Sequence, residues 1–210
     1  MPIIVIPNVA PKYTESASLQ RKKIINVARL DLQKDPELLV RAFSLLKDVF
    51  PDWICEWWGE TSVNPSLTNH IKELILREGL EDRFLLKGTT NDVPSELLNA
   101  SIFAFPSVFE GFPIALAEAF AMGLPAVGRN DCPSVNTLIQ DGRNGFLTDP
   151  TPEAFAKGLS RLMESEELRL RLGTQGKKDM KAYSADCVWG AWTKLICELA
   201  HKNQLCKTQS

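Results

Sequence analysis

Two cations stand between a predicted strand and a predicted helix near the start of the chain. Arg29 and Lys34 lie in the segment NVARLDLQKD (residues 26–35), which has the pattern R-x-x-x-x-K. Arginine offers phosphate oxygens a planar fork of donors and lysine offers a mobile point charge, so the pair could close on one anion. The same pattern fits two solvated surface cations, one of them paired with Asp31 or Asp35, and the spacing leaves both interpretations open.

Two carboxylates flank the start of a predicted helix in the segment PSVFEGFPIALAEAFAMGLP (residues 106–125). Gly111, next to Glu110, allows the backbone to approach a ligand closely, and the helix start offers unpaired N–H groups to anions. Carboxylate oxygens accept hydrogen bonds from sugar hydroxyls, and the E-x7-E spacing lets Glu110 and Glu118 face one pocket. Glu110 could instead interact with the helix dipole and Glu118 could be solvated, although a carboxylate in this nearly apolar helix needs a partner.

Glycines at the ends of three predicted strands border the same predicted site. They lie in the segments WGET (residues 58–61), KGTT (residues 87–90) and AVGR (residues 126–129). None forms the glycine-rich loop of a dinucleotide-binding domain or a P-loop, and simple turn formation is the alternative role. The chain also lacks the patterns D-x-D, H-E-x-x-H and G-x-S-x-G, so the sequence predicts neither a metal site nor a serine nucleophile. His70 and His201 are its only histidines, and neither is placed to act as a base.

Short apolar runs alternate with longer amphipathic ones, which predicts an α/β fold with a doubly wound, mostly parallel sheet flanked by helices. Ligands of such sheets bind outside the carboxyl ends of the strands, where these segments are found. The predicted strands are Ile24–Ala28, Trp53–Trp58, Phe84–Lys87, Ile102–Phe105, Ala126–Gly128 and Phe146–Thr148. The predicted helices are Pro36–Val49, Leu67–Glu78, Val93–Asn99, Pro113–Met122, Val135–Gln140, Pro152–Glu164, Glu166–Tyr183 and Ala185–Ala200.

The composition is that of a soluble globular domain. The chain has 210 residues and a net charge of −2, from 24 Lys and Arg against 26 Asp and Glu, which argues against general nucleic-acid binding. No apolar run reaches the roughly 18 residues of a membrane helix, and the start does not resemble a signal peptide. The cysteines form no C-x-x-C pair, so we expect a cytoplasmic protein with reduced thiols. We divide the chain into a linker or remnant (residues 1–22), a Rossmann-like domain (residues 23–200) and a flexible tail (residues 201–210).

Together these segments resemble the C-terminal, donor-binding domain of the retaining glycosyltransferases of family 4, which have the GT-B architecture. The resemblance covers roughly residues 24–200 and rests on the R-x-x-x-x-K loop, the L-K-G strand end (Leu86–Gly88), the run P-S-x-x-E-G-F-P with its E-x7-E spacing, and the sequel A-M-G-L-P-A-V-G to D-G-x-N-G-F-L. The opening V-I-P-N (residues 5–8) resembles the linker from the family's N-terminal domain. The sequence departs from the family at Pro113, where a second glycine is common, and at W-G-E-T, where a glycine-rich turn is common.

The resemblance implies a nucleotide-diphosphate sugar donor, a nucleotide-sugar-binding role for residues 23–200, and a role for each segment. Arg29 and Lys34 would bind the diphosphate, and Glu110 would bind hydroxyls of the donor sugar. These three would be the catalytic residues. Glu118 would bind the ribose hydroxyls. Fixed cations and a helix start can stabilise the leaving diphosphate, so neither a cofactor nor a metal is expected. The remaining donor-binding residues implied are Gly88, Thr89 and Thr90 beside the base, and Gly111, Phe112, Pro113, Ile114, Ala115 and Leu116 at the helix start.

The family transfers sugars with retention of the anomeric configuration, so the resemblance implies a hexosyltransferase of polysaccharide, glycolipid or glycan biosynthesis. The alternatives are a glycogen-synthase-like transferase, a sugar-nucleotide epimerase, or a non-catalytic module that binds a partner. GT-B enzymes act between two domains, so the implied partners are the nucleotide sugar, an N-terminal domain of the same protein and a glycan or lipid-linked acceptor. We expect this chain alone to be inactive, and the other domain could attach it to the inner face of the membrane. Apolar surface is expected near residues 1–20 and along the last predicted helix.

Overall fold

A parallel sheet of six strands forms the centre of the protein. The structure is a computed structural model that describes residues 3–207. The strands are β1 (Lys23–Val27), β2 (Ile54–Trp58), β3 (Phe84–Gly88), β4 (Ile102–Phe105), β5 (Ala126–Arg129) and β6 (Gly145–Thr148). They are ordered β3-β2-β1-β4-β5-β6 and all pairings are parallel, as in a doubly wound Rossmann-type domain. The predicted fold class is confirmed.

Helices connect and cover these strands. They are α1 (Pro36–Ser44), α2 (Pro65–Arg77), α3 (Val93–Leu98), α4 (Ile114–Ala121), α5 (Pro133–Leu138), α6 (Pro152–Glu164), α7 (Glu166–Asp179) and α8 (Ala185–Lys207). Five of them begin at the predicted residue, and in two of these, α1 and α3, an aspartate before a proline-containing first turn accepts a backbone N–H. Asp35 accepts from the N–H of Leu38 at 3.2 Å, and Asp92 accepts from the N–H of Ser95 at 3.0 Å.

Three predicted helix ends differ from the structure by four residues or more, and the other ends differ by at most two. Helix α1 stops at Ser44 instead of Val49, and in the turns that follow it the Arg83 guanidinium donates to the carbonyl groups of Lys47 and Phe50, at 2.7 Å each. Helix α7 tightens into a 3-10 turn over Met180–Tyr183. Helix α8 was predicted to end at Ala200, with residues 201–210 in the flexible tail. It continues to Lys207, since no Gly or Pro interrupts residues 201–207, and residues 208–210 lie outside the described part of the chain.

Strands β1 and β4 mark the point where the order of the sheet reverses. They pair through two positions only, Ile24 with Ile102 and Ile25 with Phe103, and then separate. The fully buried side chain of Asn26 spans the gap, with its amide N–H donating to the Ala104 carbonyl at 2.8 Å. The chains leaving β1 and β4 therefore diverge at this switch point and open a crevice at the carboxyl edge of the sheet.

Apolar cores on both faces of the sheet fix these strand ends. One core includes Phe43 of α1 and Trp57 of β2 beneath α1, α2 and α6. The other includes Phe105 of β4 and Phe120 of α4 beneath α4 and α5. Because these aromatic side chains are buried immediately behind the strand ends, the loops that follow start from rigid positions.

The two ends of the described chain carry the exposed apolar surface that the sequence predicts. Residues 3–22 contain no helix or strand, and they reach the domain through the N–H of Ala10 on the Tyr183 carbonyl and the N–H of Ala17 on the Met122 carbonyl. Exposed side chains in this segment include Ile3 and Val5. In α8 the exposed apolar side chains are Trp189, Trp192, Ile196 and Leu199.

Candidate functional site

An ion pair between two loops lies at the switch point. Lys34, in the loop between β1 and α1, places its Nζ 2.5 Å from Oε1 of Glu110, in the loop between β4 and α4. Both side chains are largely buried, with 15% and 11% of their surface exposed. Lys34 ends a short 3-10 helix (Leu32–Lys34) and Glu110 lies in a loop, so no α-helix or β-strand contains either partner of this contact. The structure thus brings together two of the three residues that the resemblance designates as catalytic.

Backbone contacts reinforce the link between the same two loops. The N–H of Val108 donates to the Gln33 carbonyl at 2.9 Å, and the Gln33 side-chain amide donates to the Phe109 carbonyl at 2.5 Å. These bonds place Lys34 and Glu110 opposite each other, since each is adjacent in sequence to a bonded residue. Gln33 was not singled out by the sequence analysis, because a glutamine in a loop gives no signal of what it contacts.

A third loop, between β5 and α5, leads into α5, and Ser134 in the first turn of α5 contacts the backbone of Glu110. The hydroxyl of Ser134 donates to the Glu110 carbonyl at 2.7 Å. The backbone of Glu110 is therefore fixed from α5 while its carboxylate is fixed by Lys34. Ser134 lies at the start of a short helix, and the sequence alone did not indicate its contact.

Arg129, the last residue of β5, joins this third loop to the first. Its Nη1 donates to Asp35 Oδ2 at 2.6 Å, and its Nε and Nη2 donate to the two carboxylate oxygens of Asp131 at 2.8 and 2.7 Å. Only 9% of the Arg129 side chain is exposed. Hydrogen bonds to Asp131 raise the pKa of Arg129 and lower that of Asp131, whereas burial raises the pKa of Asp35 despite the opposing charge of Arg129.

Arg29 lies in the loop that follows β1, and its side chain is exposed. Within residues 3–201, no hydrogen bond or ion pair engages its guanidinium, so the structure does not bring it onto Lys34 or Glu110. The loop behind it is fixed, since the N–H of Ala28 donates to the Trp58 carbonyl and that of Leu30 to the Glu60 carbonyl, both at 2.8 Å. A guanidinium on a fixed backbone at the mouth of the crevice is positioned to meet an incoming anion.

Glu118 lies one turn into α4 and is half-buried. No cation or hydrogen-bond donor among the described side chains engages its carboxylate, and burial raises its pKa. The phenol of Tyr13, from the segment before β1, lies close enough for the Glu118 charge to raise the Tyr13 pKa, although burial is the larger cause. A half-buried carboxylate without a partner is costly, and a ligand hydroxyl would relieve that cost.

The start of α4 offers backbone donors to a ligand. The helix begins at Ile114 after Pro113, and no side chain caps it. Gly111, Phe112, Pro113, Ile114, Ala115 and Leu116, all predicted to bind the donor, form this helix start and the loop before it. The space beside Gly111 is open, since a Cβ there would meet nothing within 4 Å, so the backbone can be approached from that side.

The predicted base-binding residues lie at the end of β3, two strands away from β1. Gly88 adopts a left-handed conformation with φ of 74°, and a Cβ at this position would meet nothing within 4 Å. Its carbonyl accepts the N–H of Gly59 at 2.8 Å, which ties the loop after β2 to the end of β3. Thr89 is exposed and Thr90 is half-buried beyond it. Gly88 therefore has the alternative role of a turn glycine, and it leaves this edge of the site uncrowded.

The described residues give two further findings about the kind of protein this is. None of their helices combines the length and apolar composition that crossing a membrane requires. Their His, Cys, Asp and Glu side chains do not gather in any group of three or more that could hold a metal ion.

Comparison with known proteins identifies the family. The sequence profile described as "Glycosyl transferases group 1" matches residues 13–179, more than half of the chain. An uncharacterised glycosyltransferase of Haemophilus influenzae is 30% identical over 191 residues, covering 90% of this chain and 53% of that protein. The N-acetylgalactosamine-N,N'-diacetylbacillosaminyl-diphospho-undecaprenol 4-alpha-N-acetylgalactosaminyltransferase of Campylobacter jejuni is 32% identical over 179 residues, covering 85% of this chain and 47% of that protein. The chain spans about half the length of these two relatives.

Solved structures share the fold. The crystal structure of Anabaena Alr3699/HepE in complex with UDP superposes with a TM-score of 0.79 at 19% identity, over 85% of this chain and 49% of that one. The six-stranded parallel sheet is thus that of a Rossmann-like half of a GT-B glycosyltransferase. With a family profile that spans most of the sheet, the chain belongs to the group 1 glycosyl transferases.

Proposed function

We propose that this chain is the donor-binding part of a retaining glycosyltransferase, which transfers a sugar from a nucleoside-diphosphate sugar to an acceptor hydroxyl. The observation that carries the proposal is the Lys34–Glu110 pair, a cation and a carboxylate held side by side at the switch point of the sheet and next to the uncapped start of α4. A phosphate-binding group beside a hydroxyl-binding group matches a ligand in which a phosphate is joined to a sugar.

Positive charge at the crevice would bind the diphosphate and stabilise it as it leaves. Arg29 supplies an exposed guanidinium, Lys34 an ammonium, and α4 the N–H groups of its first turn. Charge builds on the diphosphate as the glycosidic bond breaks, and donors fixed in advance stabilise that charge most effectively. We therefore expect transfer without a bound metal ion, with these three groups in its place.

Donor binding would replace the Lys34–Glu110 contact with two new ones. Phosphate oxygens would accept from Lys34, while hydroxyls of the transferred sugar would donate to Glu110. Before the donor binds, the Lys34 ammonium and the Glu110 carboxylate serve as counter-charges for each other, so neither charge is buried alone. A complete nucleotide sugar satisfies both groups, whereas a nucleoside diphosphate satisfies only Lys34 and leaves Glu110 exposed to the negative phosphate.

The nucleoside would extend from this point along α4 and towards β3. The half-buried carboxylate of Glu118 would accept the ribose hydroxyls, and the base would lie by Gly88, Thr89 and Thr90. We propose a uridine diphosphate sugar, since the Anabaena structure with the same fold contains UDP. The Campylobacter relative is named for a diphospho-undecaprenol substrate, which favours a glycan or lipid-linked acceptor.

Retention of configuration requires the acceptor oxygen to attack the anomeric carbon from the face that the diphosphate leaves. The bond from the anomeric carbon to the diphosphate oxygen breaks with its electron pair, and the acceptor proton passes to that departing oxygen. This scheme needs no protein base, and it leaves Lys34, Glu110 and Glu118 the role of binding the donor. A second domain would bind the acceptor. We therefore expect this chain alone to bind the donor but not to transfer its sugar. Any attachment to the inner face of a membrane would also be through that second domain.

Titration calorimetry of the chain with UDP, GDP and ADP tests the proposal. We expect saturable binding of UDP, and a ligand at 100 times its Kd should stabilise the fold by about 2.7 kcal/mol. Arg29→Ala should weaken that binding, whereas Arg77→Ala, an exposed arginine on α2, should leave it unchanged. Absence of binding by all three nucleotides at millimolar concentration would overturn the donor-site assignment for this chain.

A further inference from the structure

We infer that Arg129 is a positioning residue for Lys34, and that it sets the geometry of the diphosphate site without touching the donor. The inference rests on the proposed function, because it assigns a residue to the support of that site. Arg129 lies at the end of β5, and its guanidinium reaches across to Asp35, the residue that follows Lys34.

Asp35 is held in a conformation that its sequence context disfavours. Its φ of 44° and ψ of 58° lie in the left-handed region, where among described residues other than glycine only Leu19 also has a positive φ. Pro36 follows, and a residue before proline is displaced from the ordinary helical region. The 3-10 turn bonds the Asp35 N–H to the Leu32 carbonyl at 3.1 Å, and contacts of the Asp35 side chain add to this in directing Lys34, its neighbour, into the crevice.

Two contacts hold the Asp35 carboxylate, and they use different oxygens. Oδ1 accepts the N–H of Leu38 at 3.2 Å, which is an ordinary helix cap. Oδ2 accepts Nη1 of Arg129 at 2.6 Å, and capping α1 does not require that second contact. Burial raises the pKa of Asp35, which means that burial disfavours the carboxylate anion, and the Arg129 cation beside it opposes that effect.

Arg129 is also held in place by a second carboxylate, that of Asp131. Its other two donors form a fork with both oxygens of Asp131, at 2.7 and 2.8 Å. A lysine could not reproduce this arrangement, because a single ammonium cannot present a planar fork to one carboxylate and a third N–H to another. The result is a rigid connection from β5 through Asp35 to Lys34, whose Nζ then meets Glu110.

The test compares the affinity of Arg129 variants for UDP. We expect Arg129→Met to weaken UDP binding on the order of tenfold, because a small displacement of a binding group is enough for such a loss. Arg129→Lys should restore little of it, and Asp35→Asn, which keeps a capping oxygen and tolerates the left-handed region, should give an intermediate loss. The matched control is Arg169→Met, a buried arginine on α7 that donates to the Leu19 and Leu162 carbonyls and should destabilise the fold without changing the affinity of the folded protein.

A double-variant cycle separates positioning from general damage. If Arg129 acts through Lys34, then adding Arg129→Met to Lys34→Met should cost almost no further affinity, although it should still lower the Tm. A full tenfold loss in the Lys34→Met background would overturn the inference, as would an Arg129→Met protein that binds UDP like the wild type.

Hydrogen exchange tests the inference without any nucleotide. Arg129→Met should accelerate amide exchange in residues 30–38 and 107–112, and Arg169→Met should not. If the wild type binds no UDP but this acceleration is found, then the donor-site proposal fails and the positioning of Lys34 stands. If exchange in both segments is unchanged, then the positioning role fails whatever the protein binds.

Discussion

Two buried lysine–glutamate pairs lie near opposite ends of the strands and look alike by distance and burial. Lys34 and Glu110 are 2.5 Å apart with 15% and 11% of their side chains exposed. Lys23 and Glu56 are 2.9 Å apart with 10% and 9% exposed. By these measures alone, both would be interpreted as structural ion pairs, or both as sites.

The difference lies in what supports each pair and in how completely each carboxylate is satisfied. Lys23 and Glu56 come from the adjacent strands β1 and β2, and the indole N–H of Trp58 also donates to Glu56 at 3.0 Å. Lys34 and Glu110 come from two loops at the switch point, and Lys34 is the one described side chain that bonds the Glu110 carboxylate. The first pair joins two adjacent strands of a regular sheet, whereas the second can open without disturbing a strand. The secondary structure around an ion pair and the other donors to its carboxylate, rather than its degree of burial, therefore indicate whether it can exchange its partners for a ligand.

Removing the lysine of each pair should separate the two roles most sharply. Lys34→Met should weaken UDP binding on the order of 10- to 100-fold, because a charge-assisted hydrogen bond to phosphate is worth about 1.5–3 kcal/mol and the unpaired Glu110 would repel the ligand. Lys23→Met should instead reduce the free energy of unfolding by about 3 kcal/mol, because it leaves the buried Glu56 without its cation. Calorimetry and thermal denaturation of both variants provide the check, and the comparison breaks if Lys23→Met weakens UDP binding as much as Lys34→Met does.

Removing the carboxylate of the functional pair should give opposite effects on two ligands. Glu110→Gln releases Lys34 and removes a negative charge beside the phosphates, so UDP should bind on the order of threefold more tightly. The UDP-sugar that the wild type prefers should bind on the order of tenfold more weakly, since its hydroxyls lose a charged acceptor. Paired titrations with UDP and the UDP-sugar measure both shifts. Shifts in the same direction for the two ligands would show that Glu110 does not distinguish the sugar from the phosphate.

Local sequence signals were enough to predict the fold and the proximity of the two loops that contain Lys34 and Glu110. Alternating apolar runs predict all six strands, and Asp35 before Pro36 predicts the start of α1, because both depend on neighbours in sequence. The carboxyl edge of a doubly wound sheet predicts that the loops containing Lys34 and Glu110 meet. That they contact each other, rather than waiting separately for a ligand, was not predicted.

The supporting residues could not be predicted, because their partners are remote in sequence and their own surroundings carry no pattern. Arg129 reaches Asp35 across 94 positions, and Gln33 reaches Phe109 across 76. An arginine at a strand end and a glutamine in a loop are each ordinary surface residues in a sequence. Only the order of the strands, which brings the ends of β1, β4 and β5 to one edge, turns them into contacts.

Glu118 differs from both paired glutamates, because its half-buried carboxylate is engaged by no cation among the described side chains. Burial raises its pKa, so the folded chain binds a proton more tightly at this position than the unfolded chain does. Its contribution to stability is therefore most favourable below the unfolded pKa and is lost as the pH rises through the folded pKa. Glu118→Gln remains neutral, so it should raise the Tm at about pH 7.5 but not at about pH 4, by less than the loss expected for Lys23→Met.

The same substitution should weaken UDP binding, because a neutral amide is a poorer acceptor for ribose hydroxyls than a carboxylate. Stability and affinity would then move in opposite directions at one residue, which is the signature of a group retained for a ligand at a cost to the fold. Glu73→Gln, an exposed glutamate on α2, is the matched control and should change neither quantity. If Glu118→Gln raises the Tm equally at both pH values, or leaves UDP affinity intact, then Glu118 belongs with Lys23 and Glu56 as a residue of the fold and not of the site.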